Sequence, residues 1–124
     1  MPRKIKITAG PVEQTAQLDD SQCAQNIWDA LPLKASGSTW GDEIYFEIPV
    51  SCEPENPQET VEMGELAYWL AGRCFCIFFG PTPVSQGDEI RPASEVNVFG
   101  KLEGNPTDFQ QVASGTEVIV ERAE

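Results

Sequence analysis

The chain predicts a mainly β fold: one closed, eight-stranded barrel over residues 1–124, capped by two short α-helices. Three observations carry that expectation. The run Cys74-Phe75-Cys76-Ile77-Phe78-Phe79 is apolar at every position and is stopped by Gly80-Pro81-Thr82-Pro83. Aromatic and β-branched residues favour the pleated backbone, and proline lacks the N–H that a central strand needs. Alternation sends Cys74, Cys76 and Phe78 to one face and Phe75, Ile77 and Phe79 to the other, so neither face can be left to water. A strand buried on both faces belongs to a closed or covered sheet. The second observation is a set of further short segments that alternate or run apolar between turn residues, and the third is a pair of well-punctuated helical segments.

In chain order, strands are expected at residues 4–8, 14–18, 43–50, 61–63, 66–69, 74–79, 96–101 and 117–122. The first helix lies between Asp19 and Pro32. A capping acid or serine opens it, Ala24, Ile27, Trp28 and Leu31 recur at helical spacing, and Pro32 forces Leu31 out of the α region. The face bearing Trp28 is expected to close one end of the barrel. The second helix, residues 105–114, has Asn105 at the cap, Pro106 at the first helical position, Asp108 in the first turn, Phe109 and Val112 facing inward, and Gly115 just past its end. Two long loops remain, 51–60 and 80–95. Only the second exceeds the length of about 12 residues above which a loop in a compact domain is often functional.

Composition narrows the function classes. Twenty acids against eight bases give a net charge of −12, and residues 35–72 hold eight acids and no base. Such a surface repels phosphates, so nucleic acid and anionic membranes are not expected as partners. The start, Met1-Pro2-Arg3-Lys4-Ile5-Lys6-Ile7, lacks the apolar run of a signal or an anchor, and a cytoplasmic protein is expected. The four cysteines (Cys23, Cys52, Cys74, Cys76) are read as free thiols. Residues two apart on a strand lie about 6.6 Å apart, whereas bridged Cβ atoms must approach to about 4 Å. No metal site is expected, because Cys-x-Cys without a second paired motif, in a chain with no histidine, lacks the usual ligand spacing. No cofactor is expected.

The segment Val96-Asn97-Val98-Phe99-Gly100-Lys101-Leu102-Glu103-Gly104, followed by a short helix and a last strand, resembles the Val-Phe-Gly-Lys-Val region of cyclophilins. Closer still is the resemblance to a small prokaryotic cyclophilin-like family of the Thermotoga type. Its matching segments run in order from Thr39-Trp40-Gly41-Asp42-Glu43-Ile44-Tyr45-Phe46 through Gly64-Glu65-Leu66-Ala67-Tyr68-Trp69 and Cys76-Ile77-Phe78-Phe79-Gly80-Pro81-Thr82-Pro83 to Ile90-Arg91-Pro92-Ala93-Ser94-Glu95-Val96 and on to Lys101. The resemblance implies an eight-stranded barrel capped by two helices, the count reached above. Active cyclophilins use an arginine in a Phe-His-Arg segment, which this chain lacks. Their wall histidine falls at Val96, and after the Tyr-Trp pair this chain has Leu70-Ala71-Gly72 where close relatives tend to carry prolines.

Prolyl isomerisation needs a pocket for the twisted amide and a donor to the prolyl nitrogen, against an uncatalysed barrier of about 18–20 kcal/mol. Arg73 and Arg91 are the arginines away from the termini. Arg73 opens the central strand among acids. Arg91, in a proline-bounded loop near Ser94 and Asn97, either points into a groove or pairs with Asp88, Glu89 or Glu95. Trp40 sits at a turn before Gly41, and Tyr68-Trp69 place two rings on opposite faces, so each is either barrel-end core or groove wall. Serine hydrolysis is excluded for want of a histidine, and the acids of 51–62 are read as solvated surface that could at most hold a hard cation such as Ca²⁺ weakly. The expected function is therefore binding of a small ligand or an extended peptide in a groove lined by Trp40, Tyr68, Arg91, Ser94 and Asn97, without fast isomerase chemistry. The alternatives are a weak or atypical prolyl isomerase and an acidic protein-interaction module.

Overall fold

The computed structural model describes residues 3–123, which form one nine-stranded sheet curled into a nearly closed barrel. Its strands are β1 (Arg3–Ala9), β2 (Val12–Leu18), β3 (Leu33–Ser36), β4 (Ser38–Thr39), β5 (Glu43–Glu47), β6 (Glu65–Trp69), β7 (Cys74–Phe78), β8 (Val96–Leu102) and β9 (Glu117–Arg122). They pair antiparallel in the order β3, β9, β1, β2, β8, β6, β7, β5, β4. The two ends of that order, β3 and β4, adjoin in the chain through Gly37. The Gly37 N–H donates to Thr116 O at 2.8 Å, and a Cβ there would lie 2.9 Å from Val118 Cγ2 and 3.0 Å from Ile44 Cγ2. A side chain at 37 would thus wedge β9 from β5, so glycine sits at the seam for lack of room.

The count of eight strands is corrected in two places. Residues 61–63 form only an isolated bridge, Val61 to Ile90, while Leu33–Ser36 and Ser38–Thr39 supply two strands that the sequence pattern did not reveal. The central strand behaves as its composition requires: Phe75, Ile77 and Phe79 enter the barrel core, and Cys74, Cys76 and Phe78 belong to a second apolar cluster on the outer face. Inside, Phe75 stacks on Phe46 at 5.0 Å between centroids and meets Phe99 edge-on at 5.1 Å, favoured geometries for ring pairs.

Helix α1 (Gln22–Ala30) starts at Ser21, whose Oγ accepts from the Ala24 N–H, and stops where Leu31 turns extended before Pro32. Cys23, Ala24 and Ile27 are its buried residues and join the barrel core. Trp28 is only half-buried, with the Arg122 guanidinium 4.5 Å from its ring centroid. Trp28 and Leu31 pack against the same core, so the face that closes the barrel is the one expected, with Ala24 and Ile27 at its centre and Trp28 at its margin. Glu55 completes the helix start: its Oε2 accepts from the Gln22 N–H at 2.9 Å and its Oε1 from the Cys23 N–H at 3.1 Å, a carboxylate where the helix dipole favours one. So at least one acid of the 51–62 stretch is structural rather than merely solvated.

The second helix has the expected cap, Asn105 Oδ1 accepting from the Thr107 N–H, but it is a 3₁₀ helix of residues Pro106–Gln111 and not an α-helix to 114. The Val112 N–H bonds to Phe109 O, a three-residue closure. Six residues are too few for α-type bonds to repay their nucleation, so the tighter turn wins. Phe109 still buries fully. All four cysteines are free thiols. No helix among the described residues is long and apolar enough to cross a membrane.

Candidate functional site

Strand alternation builds the site on the outside of the barrel. On β5, Ile44 and Phe46 point inward, which turns Glu43 and Tyr45 outward beside Cys76 of β7. On β6, Leu66 and Tyr68 point inward, which turns Ala67 and Trp69 outward, with Trp69 opposite Val96 of β8. The outer floor is therefore apolar, and in its middle it is made of small residues, Ala67, Cys74 and Cys76. Ile90 from the long loop 80–95 and Val61 cover part of it. What remains open is a pocket of about 220 Å³ lined by Trp40, Glu43, Tyr45, Trp69, Pro92, Ala93 and Val96.

Each wall is held from behind. Trp40 is carried by the turn into β5: its N–H donates to Glu43 O, the Asp42 N–H donates to Pro81 O, and the Phe79 N–H donates to Asp42 O, each at 2.9 Å. Gly41, at φ +59°, lets that turn lie flat on Thr82 and Pro83, where a Cβ would meet the Thr82 Cα at 2.9 Å. Trp69 is clamped at both ends. Its indole N–H donates to Ser94 Oγ at 2.6 Å, and the Gly72 backbone presses on the ring so closely that a Cβ would lie 2.3 Å from Cζ3. The roof, Pro92-Ala93, follows a self-bonded loop in which Ser85 Oγ accepts from the Thr82 N–H at 2.9 Å and from the Arg91 N–H at 3.1 Å, while the Thr82 hydroxyl donates to Arg91 O.

Glu43 is the chemical oddity of the pocket. It is 6% exposed, no hydrogen bond of 3.5 Å or less reaches its carboxylate, and no lysine or arginine among the described residues is within ion-pair distance. Burial pushes its carboxyl up to about 7, a rise that the neighbouring Cys76 thiol only partly offsets. Burial also pushes the Cys76 thiol well above its ordinary value, so Cys76 is a neutral thiol, donating to Cys74 O at 3.8 Å, and not a nucleophile.

The five residues expected at a groove are dispersed by the structure. Trp40 lines the pocket, and Ser94 stands at its rim as the acceptor for Trp69. Tyr68 is a correction: it is 1% exposed, points into the barrel, and donates its hydroxyl to Val50 O at 2.6 Å. The alternation that buries Tyr68 is what presents its neighbour Trp69. Asn97 is also a correction, 1% exposed, with Oδ1 accepting from the Glu55 N–H and Nδ2 donating to Glu53 O, both at 2.9 Å. It clamps the loop that caps α1. Arg91 lies one step beyond the roof, in a neighbouring depression with Ser94, and its fork is engaged by Glu89: Nε to Oε2 at 2.7 Å and Nη2 to Oε1 at 3.1 Å, with Glu59 Oε1 3.7 Å from Nη1. Glu43, Tyr45 and Trp69 complete the pocket. The outward register of β5, legible from Ile44 and Phe46, was the signal for the first two.

The family model for cyclophilin-like proteins matches residues 3–121. Among solved structures, the hypothetical protein AF2241 from Archaeoglobus fulgidus, determined in solution, is 40% identical, with a TM-score of 0.84 over 98% of this chain and 95% of that one. McbB, solved in complex with tryptophan, shares the fold alone, at 14% identity and a TM-score of 0.71 over 96% of this chain and 44% of that one. No protein of curated function matches. With the family model spanning nearly the whole barrel and a full-length relative well above chance identity, the chain belongs to the cyclophilin-like family.

Proposed function

We propose that this protein is a binding module whose outer pocket takes a small ligand, or one side chain of an extended peptide, and that it does not accelerate prolyl isomerisation appreciably. The observation that carries this reading is a preformed concavity on the barrel, walled by Trp40, Tyr45 and Trp69. Apolar sites with a few convergent polar groups are the usual form of small-molecule sites. Its walls are braced by contacts within the protein itself, so ordering costs little on binding.

Isomerase chemistry lacks support. Loss of amide conjugation calls for a donor aimed at the prolyl nitrogen, and no arginine lines the pocket. Arg91, the nearest candidate, is turned to Glu89 and Glu59 in the neighbouring depression. By analogy with other preorganised donors, a missing one costs roughly 100- to 1,000-fold in rate. On a standard Xaa-Pro peptide the protein is expected to stay within about tenfold of the uncatalysed rate. Turnover comparable with active cyclophilins would overturn the reading.

A further inference from the structure

The pocket has one charged group, and that group lacks a partner. A carboxylate removed from water is costly unless a cation or several donors meet it. Glu43 is 6% exposed, yet no lysine or arginine among the described residues reaches it, although Arg73, Arg91 and Lys101 lie elsewhere on the same half of the chain. The nearest polar group is the neutral Cys76 thiol, a weak donor whose hydrogen bond goes to Cys74 O. The other lining residues are two tryptophans, a tyrosine, a proline, an alanine and a valine.

The rings are free to receive a guest. The ring–ring contacts among the described residues are Phe46–Phe75, Phe75–Phe99 and Phe79–Phe109, all in the barrel core, so none of the pocket's three rings stacks on another. Trp69 has already used its indole N–H on Ser94 and is fixed at its other edge by Gly72. It therefore offers its π surface and not its donor. Tryptophan faces are the strongest aromatic partners of cations, and the attraction grows as water is excluded.

Resting on the pocket reading above, we infer that the ligand is an organic ammonium ion, alkylated at nitrogen, seated among Trp40, Tyr45 and Trp69 with its charge against the Glu43 carboxylate. A bare ammonium presents three N–H donors and would need three acceptors. Of the lining side chains only the Glu43 carboxylate and the Tyr45 hydroxyl can accept, and the nearby Ser94 hydroxyl has one of its two lone pairs taken by Trp69. Methyl or methylene groups in place of those hydrogens match apolar walls and still leave the charge for Glu43.

The test uses choline, its neutral carbon isostere 3,3-dimethylbutan-1-ol, and a short proline peptide. Each is titrated at physiological salt while the three indole N–H signals are followed by NMR. Trp28, flanked by Arg122, is the internal reference. Choline is expected to shift Trp40 and Trp69 but not Trp28, and to bind at least about tenfold tighter than the isostere. Glu43→Gln should abolish that preference by lowering the choline affinity to that of the isostere, and an unaltered Trp28 signal reports that the variant is folded. Choline binding should also strengthen from pH 6 to pH 8. The titratable groups beside Glu43 are Tyr45 in the pocket lining and the Cys74 and Cys76 thiols of β7, and both thiols are raised and stay neutral over that range. Equal binding of choline and isostere would overturn the ammonium inference and leave the pocket reading intact. Binding of the proline peptide alone would do the same. If none of the three moves Trp40 or Trp69, both readings fall.

Discussion

The two faces of β7 differ in a way that separates scaffold from site. Inward, Phe75 is held between Phe46 and Phe99 and is fully buried. Outward, Cys74 and Cys76 are small, the covering loop reaches only part of the face, and the gap between Tyr45 and Trp69 stays open. One strand thus closes a core on one side and floors a pocket on the other. The chemistry follows the packing: the inward rings of Phe46, Phe75 and Phe99 contact one another, whereas Trp40, Tyr45 and Trp69 stack on no other ring.

The largest expected effect tests that division of labour. Phe75→Ala should destabilise the protein by about 3–5 kcal/mol, through lost burial and the cavity left behind. Trp40→Ala, on the half-exposed outer side, should cost no more than about 1–2 kcal/mol, as a partly buried ring gives up less area. Urea denaturation of both variants makes the comparison. Equal costs would mean that the outer face is a second core and not a site.

Next in size is the pH response of Glu43. Its folded-state carboxyl is raised to about 7, above its value in the unfolded chain, so the protonated folded form is favoured. The associated stability is fully present below the unfolded value and is lost as pH rises through about 7. The loss is on the order of 3 kcal/mol. Glu43→Gln should therefore flatten the decline in stability between pH 5 and pH 8, as followed by thermal melts across that range. An unchanged slope would place the carboxylate in water and remove the premise of a dry pocket.

The smallest effect on stability should come with a clear effect at the pocket. Gly72→Ala puts a methyl group where only 2.3 Å separates it from the Trp69 ring, so the ring must move. Overpacking of this kind costs about 1–3 kcal/mol. The informative readout is the Trp69 indole signal, which should shift as its bond to Ser94 is strained, while Trp28 stays in place. A silent Trp69 would mean that Gly72 does not set the ring's position.

Much of the scaffold was legible because its signals are local. Cys74 to Phe79 could only be a doubly buried strand, and Ser21 and Asn105 announced their helix starts. The misses came from tertiary choices. Leu33–Ser36 and Ser38–Thr39 alternate weakly, and Gly37 between them reads as a break until the seam between β9 and β5 shows why no side chain fits. The pattern at 61–63 looks extended, but only Val61 pairs, and Met63 already lies in the turn that leads into β6. At the site, alternation requires one of Tyr68 and Trp69 to face inward without saying which. The ladder between β6 and β8, which sets Tyr68 beside Asn97 and Trp69 beside Val96, decides it. Glu43 was hidden among eight acids, since its burial depends on a roof contributed fifty residues later by Pro92 and Ala93.

The most direct measurement is a small-fragment titration of the intact protein that follows the indole N–H signals of Trp28, Trp40 and Trp69 together. If the outer face of β5, β6 and β7 is the ligand site, fragments that bind should move Trp40 and Trp69 in concert and leave Trp28 unmoved. Fragments that bind with Trp40 and Trp69 both silent, or that move only Trp28, would contradict the assignment of function to this pocket.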